Sequence, residues 1–108
     1  MPVPAKADLH AVYGVIRERM GADPAESYVA RLLAGGPDAV LQKVGEESCE
    51  LIIAAKNGDR AATVHELADL WFHVLVCMAQ AGITPEDVEG ELGRRFGRSG
   101  LAPRTTQD

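Results

Sequence analysis

Cysteine is nearly absent: Cys49 and Cys77 are the only two in a chain of 108 residues. Two thiols cannot staple a small disulfide framework or complete a zinc site. Both fall in apolar helical context, where they are expected to be buried free thiols packing as small hydrophobes. Positive charge is also scarce. Eleven Lys and Arg stand against sixteen Asp and Glu, a formal net charge of −5, so the whole surface is no electrostatic magnet for nucleic acid or acidic lipid. An anionic substrate would have to be drawn in by a metal ion or by a local basic cluster. No stretch alternates with a period of two, none repeats, and none is of low complexity. The opening residues, MPVPAKADLH, lack the apolar core of a signal peptide. The longest apolar stretch, from about Leu67 to Ala79, is broken by Asp69 and His73 and falls short of a membrane span. The expectation is a cytoplasmic protein with neither a nucleic-acid nor a membrane partner.

What is present is an ordinary globular balance, 46% hydrophobic and 25% charged, enough to build one core and too apolar for disorder. The length suits a single domain, 1–108, with its core at about 7–97 and an aperiodic tail at about 98–108. Helical punctuation is abundant and predicts an all-α bundle of five helices. The first runs from about Ala7 to Met20, with Leu9, Val12, Tyr13 and Ile16 on one stripe, and ends at Gly21 and Pro24. The second runs from Glu26 or Ser27 to Ala34 and stops at Gly35-Gly36. Pro37 suits the first turn of a third helix, which continues to Lys56 and closes on Asn57-Gly58 with glycine as a left-handed cap. Asp59 caps a fourth helix reaching about Ala81. Thr84-Pro85-Glu86-Asp87 opens a fifth that fades near Arg95 to Gly97. The fourth helix carries Leu67, Leu70, Trp71, Phe72, Val74, Leu75, Val76 and Met78 around most of its circumference. A helix apolar nearly all round must be buried nearly all round, which a chain this short achieves by completing its bundle as a homodimer.

Against that background the acids stand out. On the third helix Lys43, Glu46, Glu47 and Glu50 fall within one face of about 100°. Asn57 joins that face two turns on, with Ala54 leaving open space between. On the fourth helix Glu66 and Asp69 lie one turn apart and His73 continues their stripe. The three glutamates of the third helix alone are compatible with a solvated acidic face. Asp69 is harder to dismiss, because it lies in the most apolar helix and a buried carboxylate costs several kcal/mol unless paired or coordinated. Lys43 cannot neutralise five acids. Four or five carboxylates gathered between two facing helices are hard oxygen ligands suited to Mg2+, with Mn2+ as a substitute. Polyphosphate cleavage uses such a site: the metal neutralises phosphate oxygens and lowers the pKa of the attacking water, and a spare carboxylate orients that water. A di-iron centre would need Glu-x-x-His on paired helices, whereas Ala62 and Leu70 stand three before His65 and His73.

His73 is expected behind the metal site, hydrogen-bonded to Asp69 or Glu66. Lys43, one turn before Glu46 and Glu47, can reach a phosphate oxygen. Lys56 lies off the acidic face and is open to either reading. Arg94, Arg95, Arg98 and Arg104 form the only concentrated positive charge, either a solvated helix end or a grip on an anionic substrate.

Glu46-Glu47-x-x-Glu50 followed by Glu66-x-x-Asp69 resembles the MazG-like all-α nucleotide pyrophosphatases. Within that group four segments resemble the phosphoribosyl-ATP pyrophosphatase family of histidine biosynthesis: 21–28 (GADPAESY), 43–47 (KVGEE), 54–59 (AAKNGD) and 66–70 (ELADL). The segment 94–101 (RRFGRSGL) resembles the bacterial form, and the similarity covers roughly residues 9 to 101. The resemblance implies hydrolysis of phosphoribosyl-ATP to phosphoribosyl-AMP and pyrophosphate, with magnesium, in a homodimeric bundle. It implies Glu47, Glu50, Glu66 and Asp69 as metal ligands. Glu46 would stand behind them or orient water as the base, and Lys43 would meet phosphate. Lys56, Asn57, Arg94 and Arg95 are the further candidates for substrate binding. Members of the family are often fused to a cyclohydrolase; the length leads to the expectation of a stand-alone enzyme. Ala102-Pro103-Arg104 departs from the more acidic, lysine-bearing ending of the family and puts a substrate role for the tail in doubt. Two rivals are a house-cleaning pyrophosphatase acting on dUTP or damaged nucleotides, which would share the acidic motif alone, and a non-enzymatic helical module, which would leave Asp69 unexplained.

Overall fold

The computed structural model describes residues 6–96. Five helices occupy them in the order α1 (Leu9–Arg19), α2 (Tyr28–Ala34), α3 (Gly36–Lys56), α4 (Arg60–Ala81) and α5 (Pro85–Phe96), and no strand occurs among the described residues. The expected tail, with Arg98 and Arg104, lies outside them.

Each boundary follows from local chemistry. The carboxylate of Asp8 accepts from the Ala11 amide, so α1 begins at Leu9, the first residue of its apolar stripe and two residues after the expected Ala7. The hydroxyl of Ser27 accepts from the Ala30 amide, which sets Tyr28 as the first residue of α2. Asp59 caps α4 through the Ala62 amide at 3.0 Å. Thr84 and Asp87 cap α5 reciprocally, each side chain accepting from the other's amide. Gly58 and Gly82 take φ of 70° and 74°, the left-handed turn that ends α3 and α4 without strain on a Cβ.

The three-residue turn 57–59 folds α4 back along α3, and this hairpin is the frame of the molecule. α1 lies against α4, α2 against α3, and α5 against α1. The core is the cluster of Tyr13, Ile16, Val29, Val40, Leu75, Val76 and Ala79, with Phe72, Leu32 and Leu33 packed on it. Tyr13 also donates its hydroxyl to the Ile83 carbonyl at 2.7 Å, tying α1 to the turn before α5.

Three expectations need correction. Cys49 is exposed and Cys77 half-buried, because Cys49 lies on a side of α3 that the chain's own helices do not cover. Ala54 is buried, so it does not open space on the acidic face but lets another helix approach. The apolar stretch belongs to a helix of 22 residues, long and apolar enough to cross a bilayer by length and composition alone. That helix places Glu66, Asp69 and His73 on one stripe, and it packs along α3 and α1 within the bundle. Its apolar outer side remains uncovered: Val64 and Trp71 are more than half exposed, as are Ile52 and Ile53 of α3.

Candidate metal centre

Antiparallel pairing brings the middle of α3 against the first half of α4. One carboxylate oxygen from each of Glu47, Glu66 and Asp69 lies within 4.8 Å of the others. Glu47 is the buried member, with 5% of its surface exposed. Its Oε2 faces the Lys43 ammonium at 3.4 Å, while Oε1 is buried with no hydrogen-bond partner among the described residues. Glu66 Oε1 is orphaned in the same way. An unsatisfied buried carboxylate oxygen is costly, and here there are two in one cluster. Burial pushes the Glu66 carboxyl up, and the neighbouring Glu50 carboxylate pushes it further, with Asp69 adding to the repulsion.

These residues fit a hard divalent cation. All the donors are carboxylate oxygens, the cluster repels itself, and two buried oxygens of its members lack a hydrogen-bond donor. Glu47, Glu66 and Asp69 would hold the ion, with Glu50 beside Glu66 as a further oxygen donor.

Asp69 itself is not deeply buried. Its side chain is 42% exposed and His65, one turn earlier, approaches its Oδ2 at 3.3 Å. The burial argument that singled it out from sequence therefore fails within one chain, although its place in the cluster stands. Glu46 turns outward: it accepts from the Gln42 amide at 2.9 Å and sits 3.5 Å from Lys43. The Gln42 hydrogen bond, aided by Lys43, holds the Glu46 carboxyl below its ordinary pKa. Burial tends to lower the Lys43 pKa, but Glu47, Tyr28 and Glu46 outweigh it and keep the ammonium charged.

His73 is buried, yet it bonds to no carboxylate. Its Nδ1 meets the Asp69 backbone carbonyl at 2.8 Å and its Nε2 meets the Tyr28 hydroxyl at 2.8 Å. This corrects the expected bond to the Asp69 or Glu66 side chain. The i−4 carbonyl of its own helix is simply the nearer acceptor. Lys56 and Asn57 end α3, exposed, and Asn57 is about 10 Å of helix beyond Glu50. Arg94 and Arg95 end α5, where both pair with Glu91, and α5 packs on α1. The fold of one chain does not bring these four to the carboxylates.

Sequence reasoning gave no contact to Tyr28 beyond its place in a family-like segment, weighed His65 only as a di-iron ligand, and passed over Arg31. The spacing His65-x-x-x-Asp69 was a readable sign of an i,i+4 contact. Nothing local announced that Tyr28 of α2 would reach His73 of α4.

An all-α hairpin bundle with carboxylates converging between two antiparallel helices, and a lysine one turn away, defines a helical protein with an acidic cluster that fits a hard cation. Residues 9–96 match the family described as phosphoribosyl-ATP pyrophosphohydrolase, and the chain belongs to that family. It is 58% identical over 87 residues to the phosphoribosyl-ATP pyrophosphatase of Methylibium petroleiphilum, covering 81% of this chain and 72% of that one. It is 48% identical to the enzyme of that name from Methylococcus capsulatus, across 92% and 94% of the two chains. For the Geobacter sulfurreducens protein of that name the identity is 51%, across 93% of both.

Proposed function

We propose that this chain hydrolyses phosphoribosyl-ATP to phosphoribosyl-AMP and pyrophosphate, at the carboxylate cluster between α3 and α4 and with Mg2+ as cofactor. The carrying observation is the pair of buried, unpartnered oxygens of Glu47 and Glu66 beside Asp69, in a chain whose family relatives carry that activity in their names. Water adds to the α-phosphorus, the bond to the α–β bridging oxygen breaks, and pyrophosphate leaves. Mg2+, held by Glu47, Glu66 and Asp69 with Glu50, would neutralise phosphate oxygens and make water a better nucleophile, for which Mn2+ can substitute.

The chain's own residues do the rest. Lys43 offers its ammonium to a phosphate oxygen from a position already fixed by Glu46 and Glu47. Glu46, kept ionised by Gln42 and Lys43, is the α3 carboxylate outside the ligand set and serves to orient the water or take its proton. The uncovered apolar side of α3 and α4 is reserved for a second copy, so that the working form is a homodimer acting in the cytoplasm.

The test is pyrophosphate release from phosphoribosyl-ATP, ATP and dUTP, each with Mg2+ and with excess chelator. Turnover of phosphoribosyl-ATP should exceed that of the other two by orders of magnitude and vanish with chelator. Equal turnover of dUTP, or full activity in chelator, overturns the reading.

A further inference from the structure

The carboxylates are not alone at their end of α4. His65 stands immediately before Glu66 and one turn before Asp69, and its Nε2 lies 3.3 Å from the Asp69 Oδ2. The His65 side chain is 71% exposed, so packing does not hold the ring there, and an exposed contact of this kind contributes little to stability. Glu66 feels the same ring: burial and Glu50 raise its carboxyl, while His65 pulls it back down. Glu47 is the buried member of the cluster and His65 is exposed, which puts the imidazole at the side open to solvent.

Spacing and distance both have a meaning in metal chemistry. Side chains at i and i+4 share a helical face and can chelate one ion, as paired histidines on a helix hold zinc. Two donors bound side by side at about 2.1 Å to an octahedral cation are themselves about 3 Å apart. The His65 nitrogen and the Asp69 oxygen are already close to that separation. Metal binding displaces any proton from the nitrogen it uses, so a ligand role does not depend on where the imidazole proton sits beforehand.

We propose that His65 contributes a nitrogen ligand to the divalent cation bound by Glu47, Glu66 and Asp69. The centre thereby favours a first-row transition ion over Mg2+ by more than its carboxylates alone would. Carboxylate oxygens suit Mg2+ and Mn2+ alike, whereas imidazole suits transition ions and adds little for Mg2+. The inference rests on the metal centre of the proposed function and names the ion that fills it best.

The experiment titrates the metal-free full chain at one fixed pH with Mg2+, Mn2+ and Co2+, followed by melting temperature, for wild type, His65→Ala and His65→Gln. Glutamine keeps a side chain that can hydrogen-bond Asp69 but offers no nitrogen lone pair. Both variants should melt with the wild type in chelator, since alanine and glutamine suit an exposed helical position. Both should bind Co2+ at least about tenfold more weakly, the loss that follows from removing even the partner of a ligand. Their Mg2+ affinity should change by less than about twofold. Wild type loaded with Mn2+ should show electron spin-echo modulation from a directly bound nitrogen, lost in His65→Gln. A wild type without that modulation overturns the inference with no recourse to a variant. So does a Co2+ affinity untouched by the substitutions or restored by glutamine. An equal loss for Mg2+ and Co2+ overturns it as well, because His65 would then only support the Asp69 carboxylate. A chain that binds none of the three ions overturns the metal centre and this inference together. Nitrogen-coordinated Mn2+ without turnover of phosphoribosyl-ATP overturns the proposed function and leaves His65 a ligand.

Discussion

Glu66 is where the cost of the cluster is most visible at the residue scale. Its folded pKa is raised, by burial first and then by Glu50. A group raised in this way contributes stability that is complete below its unfolded pKa and lost as pH rises through the folded value. In chelator, the wild type should therefore melt higher near pH 4.5 than at pH 7 as far as Glu66 is concerned. Glu66→Gln should flatten that difference, as a pair of melting curves for each protein will reveal; equal pH slopes would remove Glu66 from the account. Magnesium supplies a second readout. A cation that binds only the folded cluster stabilises it by mass action, about 2.7 kcal/mol at roughly one hundred times its dissociation constant. Asp69→Asn keeps the shape and removes one ligand charge. This variant should melt at or above the wild type in chelator, gain little from Mg2+, and lose activity by at least about a hundredfold. A wild type with no Mg2+ shift beside a fully active Asp69→Asn variant would make the acids a solvated face. The motif itself was legible because E-x-x-E and E-x-x-D share faces at helical spacing. What sequence could not give is how the roles divide. Glu46 and Glu47 are neighbours, yet one turns to Gln42 and the other is buried beside Glu66. That choice is made by α4, not by α3.

Helix termini are local events, and at the scale of elements they were the most legible part of the fold. Asp59, Thr84, Gly58 and Gly82 each act on groups within four residues, so periodicity and capping chemistry locate α3, α4 and α5 closely. The packing of α5 was not legible, because it depends on a contact across 79 positions. His10 of α1 lies between two acids of α5, with Nε2 at 2.7 Å from Glu89 and Nδ1 at 3.2 Å from Glu86. The hydrogen bond to Glu89 raises the His10 pKa, and the charges of Glu89, Glu86 and Asp8 add to it. The contribution is therefore whole below about pH 6.5, the ordinary histidine value, and disappears as pH climbs through the raised value. α5 should loosen from α1 between slightly acid and alkaline pH, by no more than a few-fold in amide protection because the pair is exposed. Hydrogen exchange of the α5 amides at pH 6 and pH 8.5, corrected for intrinsic rates, measures it. His10→Gln should keep a hydrogen-bonding side chain and erase the pH dependence; an unchanged dependence in that variant assigns it to another group.

On the scale of the whole molecule, the described chain leaves much apolar surface facing outward. Ile52 and Ile53 are each 60% exposed, Val64 54% and Trp71 53%, although α3 and α4 are the frame on which the rest packs. Val64, Leu67, Trp71 and Val74 follow one another at helical spacing along the outer stripe of α4, whereas Met78 packs back onto the core. Single exposed apolar residues are normal, whereas a continuous stripe of this kind marks an interaction surface. Bilayer insertion is the poorer solution, because the same helix carries Glu66 and Asp69 one turn apart, and charged groups at membrane depth are expensive. A second copy of the chain would cover the stripe without moving the acids, since the carboxylates meet α3 on the inner side of the hairpin. Burying one large apolar side chain from full exposure is worth about 1.5–3 kcal/mol; these four are already about half buried, so a second copy would gain roughly half of that at each, set against the entropy of association. Light scattering should accordingly find twice the 11.5 kDa chain mass. Ile53→Glu and Trp71→Glu should each shift the species toward a monomer and lower the melting temperature, and the shift should reverse at higher protein concentration for the milder of the two. The carboxylate cluster offers an internal control: if the apolar stripe serves only association, Asp69→Asn must leave the mass at two chains while abolishing the Mg2+ shift. A wild type that scatters as a folded, fully active monomer at working concentration would leave the exposed stripe without an occupant and the dimer without a basis.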